Sequence, residues 1–184
     1  MKKLNRVTLL DTKQRPIAPK IAGLTDEQRE RGKRLALFHN FHRAQLDMVA
    51  GALNRLDAAG VGASVANLQM AANYRNFGNL CGQECEMLSA HHGIEDAYVF
   101  PTLHNQGSDG LKKVVERLMA EHLVVHELIE ELETEARHLI DDPSPASFAA
   151  TGKTFMDLQT CVRSHFGYEE TELEDALGVI DVGI

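Results

Sequence analysis

Histidine and glutamate residues recur four positions apart at three places in this chain. The pairs are His91 with Glu95, His122 with His126, and His165 with Glu169. An α-helix brings residues i and i+4 onto one face, so each pair can direct two ligands to one point. Each pair is also in phase with the apolar residues of its own segment. Together with a further histidine near residue 40, the pairs predict a site for two metal ions held between helices.

Two registers are open in the segment that begins at His91. His92 and Asp96 have the same spacing as His91 and Glu95, but they point about 100° away on a helix. Only His91 and Glu95 align with Leu88, so we expect these two residues to be ligands. His92 and Asp96 are expected to flank the site or support it from outside, with His92 as a reserve ligand.

Two further positions also have competing candidates. In the first helical segment, His42 lies nearer the centre of the apolar stripe than His39, so His42 is preferred and His39 is the reserve. Near the C-terminus, Glu170 follows His165 by five residues and lies off the line that leads to Glu169. Glu170 stays as an alternative, because a bridging carboxylate tolerates some displacement.

The ligand types indicate which metal such a site would take. A carboxylate in an apolar stripe is costly to bury alone, and no lysine or arginine stands in the stripes nearby, so a bound cation is expected. Seven ligands are too many for one tetrahedral zinc ion, and five imidazoles are too many for calcium or magnesium. Mixed imidazole and carboxylate ligands favour a pair of iron ions, with manganese or zinc as substitutes.

The apolar pattern predicts the elements that carry these ligands. Thr25 and Gln28 form a capping-box motif, and helical periodicity continues from there to the glycines near residue 60. Further helices are predicted from Ser64 to about Phe100, from Ser108 to about 140, and from about 148 to 177, with Pro101 ending the second. This predicts an all-α, up-down-up-down four-helix bundle over residues 25–178. Residues 1–24 are expected to form an extended N-terminal arm and residues 179–184 a short tail.

Composition excludes several partners. The chain has 184 residues and a net charge of −8, and its excess of basic residues is confined to the N-terminal arm, which we expect to be solvated. An acidic body argues against nucleic-acid binding. No apolar run is long enough to span a membrane. The cysteines, Cys81, Cys85 and Cys161, are odd in number and form no CxxC motif, so we expect reduced packing residues and a cytoplasmic protein.

Taken in order, the motifs resemble those of hemerythrin-like proteins of the HHE cation-binding family. The segments that carry the resemblance are Phe41-His42-Arg43, His91 to Asp96 with the following Phe100-Pro101, Glu121-His122 to His126, and His165 to Glu170. The resemblance covers roughly residues 25–178. It implies that His122, His126 and His165 bind one iron and that His42 and His91 bind the other. Glu95 and Glu169 would bridge the two ions together with an oxo or hydroxo group.

The resemblance also implies a function. The iron with fewer histidines would keep an open position for O2, peroxide or NO, so we expect a non-haem di-iron protein that binds such a ligand for sensing, storage or delivery. The four-residue spacing from His165 to Glu169 suits the HHE branch better than the five-residue spacing of oxygen-carrying hemerythrins. The alternatives are a peroxide- or NO-detoxifying enzyme and an iron-responsive interaction module. The sequence does not indicate an oligomeric state.

Overall fold

The computed structural model describes residues 4–55 and 83–183, and every regular element in those ranges is helical. The elements are α1 (Arg6–Leu10), a 3-10 turn (Thr12–Gln14), α2 (Asp26–Gly32), α3 (Arg34–Arg55), α4 (Gln83–Ile94), a π-helical turn (Glu95–Val99), α5 (Phe100–Gln106), α6 (Asp109–Asp141) and α7 (Pro145–Val179). The predicted all-α class is confirmed. The up-down-up-down order of four helices stays a prediction, because the first predicted connection and the start of the second predicted helix lie outside the described ranges.

The chain divides into two compact units. The first unit comprises Met1–Phe41, Ala90–Val124 and Cys161–Ile184, and the second comprises His42–Ser89 and Val125–Thr160. Helices α3, α6 and α7 each contribute residues to both units. The boundaries predicted for a single bundle over residues 25–178, with flanking segments 1–24 and 179–184, stay a prediction.

The core of the first unit is built on the start of α6, where apolar residues recur every three or four positions. They pack with α5, the π-helical turn and the end of α7, and the buried residues include Leu111, Val115, Leu118, Phe100, Leu103, Leu173 and Leu177. Each such side chain stabilises the fold by roughly 1.5–3 kcal/mol. Ile180 and Val182 of the tail pack against the same core.

The second unit has its own core, from residues of α3, α6 and α7 at helical spacing. Leu46, Leu53, Leu128, Leu132, Phe155 and Leu158 are buried. Two of its buried polar groups are paired within the unit: Gln159 Nε2 donates to Asp47 Oδ1 at 2.9 Å, and the Thr151 hydroxyl donates to the Glu135 carbonyl at 3.1 Å. This unit is therefore an apolar helical packing with a few satisfied polar contacts.

The predicted capping box at Thr25 and Gln28 is confirmed, but the helix that it opens ends at Gly32. A separate helix, α3, begins at Arg34. A side chain at Gly32 would clash with the backbone of Glu174 on α7. Glycine therefore allows α2 to lie closer to α7 than any other residue would.

The predicted helix end at Pro101 is wrong. Helix α5 includes Pro101 and continues to Gln106, directly after the π-helical turn. Pro101 occupies the first turn of α5, where its missing N–H costs little. The helical path therefore continues through Pro101 after the π-helical turn, although a proline at this position predicts the end of a helix.

The N-terminal arm is predicted to be extended, but part of it is helical. It contains α1, which begins with a reciprocal capping box between Asn5 and Thr8, and the Asp11 side chain caps the 3-10 turn. These local side-chain contacts satisfy backbone donors and so favour short helical turns that apolar periodicity does not predict.

Two further findings concern the cysteines and the membrane. Cys85 is disulfide-bonded, so the expectation of a reduced thiol is wrong there, whereas Cys161 is a buried thiol outside any disulfide, as expected. Cys81 lies outside the described residues. Within the described ranges, no helix combines the length and apolar character that crossing a membrane requires.

Candidate metal centre

Five histidines and two glutamates of the first unit converge from four helices and the π-helical turn. Helix α3 contributes His39, α4 contributes His91 and His92, α6 contributes His122, α7 contributes His165 and Glu169, and the π-helical turn contributes Glu95. We call these seven residues the metal centre. Within the described residues, two groups could each hold an ion, namely His92 with His122 and His165, and His39 with His91 and Glu95. The ligand atoms of each group lie within 4.8 Å of one another.

The histidine nitrogens have the spacing of neighbouring ligands on one ion. Nε2 of His39 lies 3.1 Å from Nε2 of His91, and Nε2 of His122 lies 3.1 Å from Nε2 of His165. Two nitrogens bound about 2.1 Å from one metal at right angles would lie roughly 3 Å apart. Each histidine pair therefore has room for one ion that binds both nitrogens.

The two glutamates each face both groups. Glu95 places Oε1 3.2 Å from Nε2 of His91 and Oε2 3.5 Å from Nε2 of His122. Glu169 Oε2 lies 3.4 Å from Nε2 of His165 and 3.5 Å from Nε2 of His39. A carboxylate in such a position can bridge two ions.

The carboxylates of Glu95 and Glu169 provide the strongest test of whether a metal fits. Both residues are buried, and none of their four carboxylate oxygens accepts a hydrogen bond from the described part of the chain. Burial raises the pKa of Glu95 well above its usual range, and the negative charge of Glu169 adds to the effect. Burial likewise raises the pKa of Glu169 to about 8. Buried charges without a partner are unstable, so this donor set fits cations at the same place.

On their outer side, three of the histidines contact carboxylates through Nδ1. His39 Nδ1 lies 2.9 Å from Glu170, and His122 Nδ1 lies 2.9 Å from Asp96. His165 Nδ1 lies 3.3 Å from Glu121. A carboxylate accepts the Nδ1 proton, which leaves the Nε2 lone pair available toward the centre.

Glu121 differs from Glu95 and Glu169 because arginines surround it. Arg15 donates from Nε and Nη2 to the two Glu121 oxygens at 2.9 and 2.8 Å, and Arg117 Nε donates to Oε1 at 2.7 Å. Burial alone would raise the pKa of Glu121, but hydrogen bonds from His165, Arg15 and Arg117 outweigh burial and lower it. Burial lowers the pKa of His165 to about 4, so its imidazole is neutral at pH 7 and able to bind a metal.

Ring stacking fixes the planes of two histidines. The His39 ring stacks on Phe166 with centroids 3.8 Å apart and an interplanar angle of 8°. The His92 ring stacks on His122 with centroids 3.9 Å apart and an angle of 13°. Because stacked rings cannot rotate independently, the Nε2 atoms are held in place before any ion binds.

Residues of both registers after residue 90 lie at the metal centre, and a π-helical turn follows His91 and His92. It begins at Glu95, immediately after α4, and changes the angular spacing of the residues that follow. Glu95 contacts His91, while Asp96 contacts His122 on α6. The two acids thus point to different histidines, as adjacent residues of a helix do.

The structure places the predicted ligands in two sets. His91, Glu95, His122, His165 and Glu169 lie in the metal centre. The reserves His39 and His92 lie there too, and the reserve Glu170 contacts His39 from outside. His42 and His126 belong to the second unit and to neither of the two groups found among the described residues.

Burial shows why the apolar stripes favoured His42 and His126. On α3 the apolar Phe38 is 57% exposed, whereas its polar neighbour His39 is fully buried. On α6 the fully buried neighbour at this point is Val125, and His126 is only half-buried. His42 is itself buried, with 7% exposure, so the apolar stripe follows the buried face of α3 but does not distinguish His42 from His39.

Sequence reasoning also missed Arg15 and the role of Glu121. Arg15 lies in an arm that was expected to be solvated, yet its side chain is only 6% exposed. Glu121 precedes a histidine and sits within an apolar stripe, and this position was the available signal. Arg117 precedes Glu121 by four residues, a spacing visible in the sequence, whereas Arg15 is 106 residues away and sequence spacing does not reveal it.

Comparison with known proteins agrees with this geometry. The chain matches the family model described as hemerythrin HHE cation binding domain over residues 33–177, a range that contains the whole metal centre. No curated protein and no solved structure matches it. The matched range is well over half of the 184 residues, and the resemblance inferred from the motifs is confirmed. The chain belongs to the hemerythrin HHE cation-binding family.

Proposed function

We propose that this protein is a non-haem di-iron protein that binds O2 or a related small molecule such as NO or peroxide. One observation carries the proposal: the buried, unsatisfied carboxylates of Glu95 and Glu169 each face both groups of histidines. Two cations would satisfy both carboxylates at once. Membership of a cation-binding family supports the same conclusion.

The contacts favour a particular distribution of ligands. His92, His122 and His165 would hold one iron, and His39 and His91 the other, with Glu95 and Glu169 bridging. This retains the three-to-two division of histidines that the family resemblance implied. In this distribution His92 takes the place of His126, and His39 takes the place of His42. His92 and His39 are the residues that lie close to the other ligands.

Ligand chemistry favours iron. Five imidazole nitrogens and two bridging carboxylates exceed what a tetrahedral zinc ion needs, and they suit iron better than calcium or magnesium. An oxo or hydroxo bridge would complete the pair, with manganese or zinc as substitutes. When bound, the pair supplies a redox-active position for a small ligand.

The His39 and His91 side of the centre is the better candidate for the open position. It has two histidines rather than three, and the His91 side chain is 13% exposed whereas His39 and His165 are fully buried. A diatomic ligand would therefore reach the centre most directly beside His91. The four-helix bundle order, which such a centre commonly uses, is part of the proposal.

Binding is favoured over turnover by the positions of the nearby tyrosines. The Tyr168 hydroxyl donates to the Pro16 carbonyl at 2.8 Å, and the Tyr98 side chain is 67% exposed. Neither hydroxyl is thus held as a proton donor beside Glu95 or Glu169. A peroxide- or NO-consuming enzyme would need such a donor from elsewhere.

The proposal is tested on protein produced with iron and purified without added metal. We expect bound iron and a near-ultraviolet charge-transfer band that changes when the reduced protein meets O2, NO or peroxide. Stoichiometric reaction supports binding, whereas many turnovers per iron pair would replace the binding function by the enzymatic one. Protein that contains no iron and takes up none would overturn both.

A further inference from the structure

The N-terminal arm runs along α7 and reaches the outer side of the metal centre. Its backbone N–H groups at Ala18 and Ile21 donate to Glu172 and Asp175 at 2.7 and 2.9 Å. Lys20 Nζ donates to the Thr171 carbonyl at 3.1 Å. These contacts follow successive turns of α7, so the arm is docked along the helix that carries His165 and Glu169.

Arg15 is the residue of the arm that points inward. Its side chain is 6% exposed, and it binds both oxygens of Glu121. Nη1 also donates to the Ser164 carbonyl at 3.1 Å, and the guanidinium lies 4.6 Å from the centroid of the Tyr168 ring. Every nitrogen of the guanidinium is used, which fixes its plane.

The two hydrogen bonds that Arg15 donates to Glu121, called the fork below, determine where the Glu121 oxygens lie. Oε2 receives Nη2 of Arg15 and faces Nδ1 of His165, while Oε1 receives Nε of Arg15 and Nε of Arg117. Without Arg15, Arg117 would hold only Oε1, and the carboxylate could rotate about that contact. The acceptor for the His165 Nδ1 proton would then move.

We propose that Arg15 is a positioning residue of the metal centre: through Glu121 it holds the His165 ring with Nε2 directed at His122. Through Arg15, the N-terminal arm supports the metal centre, so it is not merely a solvated segment. This inference rests on the proposed function only where it concerns iron. Its claim about the His165 ring applies equally to the metal-free protein.

The chain supplies a matched control for Arg15. Lys20→Met removes a positive charge and an arm contact to α7, but Lys20 reaches only a backbone carbonyl. Arg15→Met removes the same charge together with the fork to Glu121. Arg15→Lys keeps the charge but cannot bind both oxygens in a fixed plane, so its effect should lie between those of the other two variants.

The first experiment follows release of iron from the loaded full-length protein to a strong chelator. We expect Arg15→Met to release iron about 10-fold faster than the wild type or more, since supporting groups of this kind are worth roughly 10–100-fold in metal affinity. Lys20→Met should stay within about twofold of the wild type. Equal release from Arg15→Met and wild type would overturn the proposal, as would equally fast release from Lys20→Met.

The second experiment needs no metal and separates this inference from the proposed function. Nitrogen NMR of the metal-free protein, labelled in histidine, reports which ring nitrogen of His165 carries the proton. We expect a single Nδ1–H form in the wild type and in Lys20→Met, and a mixture of forms in Arg15→Met and, more weakly, in Arg15→Lys. If Arg15→Met does not fold, Arg15→Lys decides alone. An unchanged His165 signal in the folded variants would overturn the inference even if the protein binds iron.

Discussion

Glu121 and Glu169 lie on opposite sides of the same histidine, are equally buried, and are stabilised in opposite ways. On the Nδ1 side of His165, Glu121 is bound by two arginines and its pKa is lowered. On the Nε2 side, Glu169 accepts no hydrogen bond from the described residues and its pKa is raised to about 8. Arginines of the chain neutralise the carboxylate on the outer side of the centre, whereas the proposed function assigns that role on the inner side to bound metal ions.

The largest effect is expected when a histidine of the metal centre is substituted and compared with a nearby histidine outside the centre. His92→Ala should lose one of the two irons, whereas His126→Ala should retain both, because only His92 lies with His122 and His165. His39→Ala and His42→Ala form a second pair with the same expectation. Iron per chain, measured after gel filtration, checks both pairs. If His126→Ala or His42→Ala lost iron while His92→Ala or His39→Ala retained it, the ligands would be those predicted from the sequence.

The two glutamates should respond oppositely to loss of charge in the metal-free protein. Glu121→Gln leaves Arg15 and Arg117 without their shared anion and should destabilise the fold by ~3 kcal/mol. Glu169→Gln removes a carboxyl that is costly to ionise when buried and should stabilise it at pH 8 by ~1 kcal/mol or more. Urea unfolding measures both free energies. Destabilisation by both substitutions would mean that Glu169 has a partner without metal.

A smaller effect is the pH dependence of metal-free stability. The raised pKa of Glu169, about 8, means that its contribution is fully present below the unfolded value of 4.5 and is lost as pH rises toward 8. The lowered pKa of His165, about 4, acts oppositely below 6.5, where the unfolded state takes up a proton first. Stability should therefore fall between about pH 6.5 and 8.

Iron should remove that decline, because bound cations favour the ionised carboxylates. Melting curves of metal-free and iron-loaded protein should thus diverge as pH rises from 6.5 to 8, and Glu169→Gln should flatten the metal-free curve. Parallel curves across this range would show that Glu169 does not ionise on metal binding.

The ligand types and their helices could be read from the sequence, because i and i+4 spacing is a property of any helix. His122, His165 and Glu169 were found in this way. The choice between adjacent candidates could not be read. His39 and His42 are both buried on α3, and the packing between segments places His39 beside His91.

The contacts of Glu121 on the outer side of the centre were even harder to predict from the sequence. Arg15 is 106 residues from Glu121 in sequence, and no periodicity joins an arm to a helix. Pro101 was misleading for a related reason, since a π-helical turn before it makes it the start of a helical segment instead of the end. Contacts between distant segments decide these positions, and sequence spacing carries no information about such contacts.

In the proposed centre, Glu95 and Glu169 bridge two iron ions held by His39, His91, His92, His122 and His165. The most direct measurement is iron stoichiometry in the wild type and in Glu169→Gln, each with the near-ultraviolet spectrum of the oxidised protein. We expect two irons per chain and a charge-transfer band in the wild type, and loss of the band with weakened iron binding in Glu169→Gln. Two tightly bound irons and an unchanged band in Glu169→Gln would contradict it.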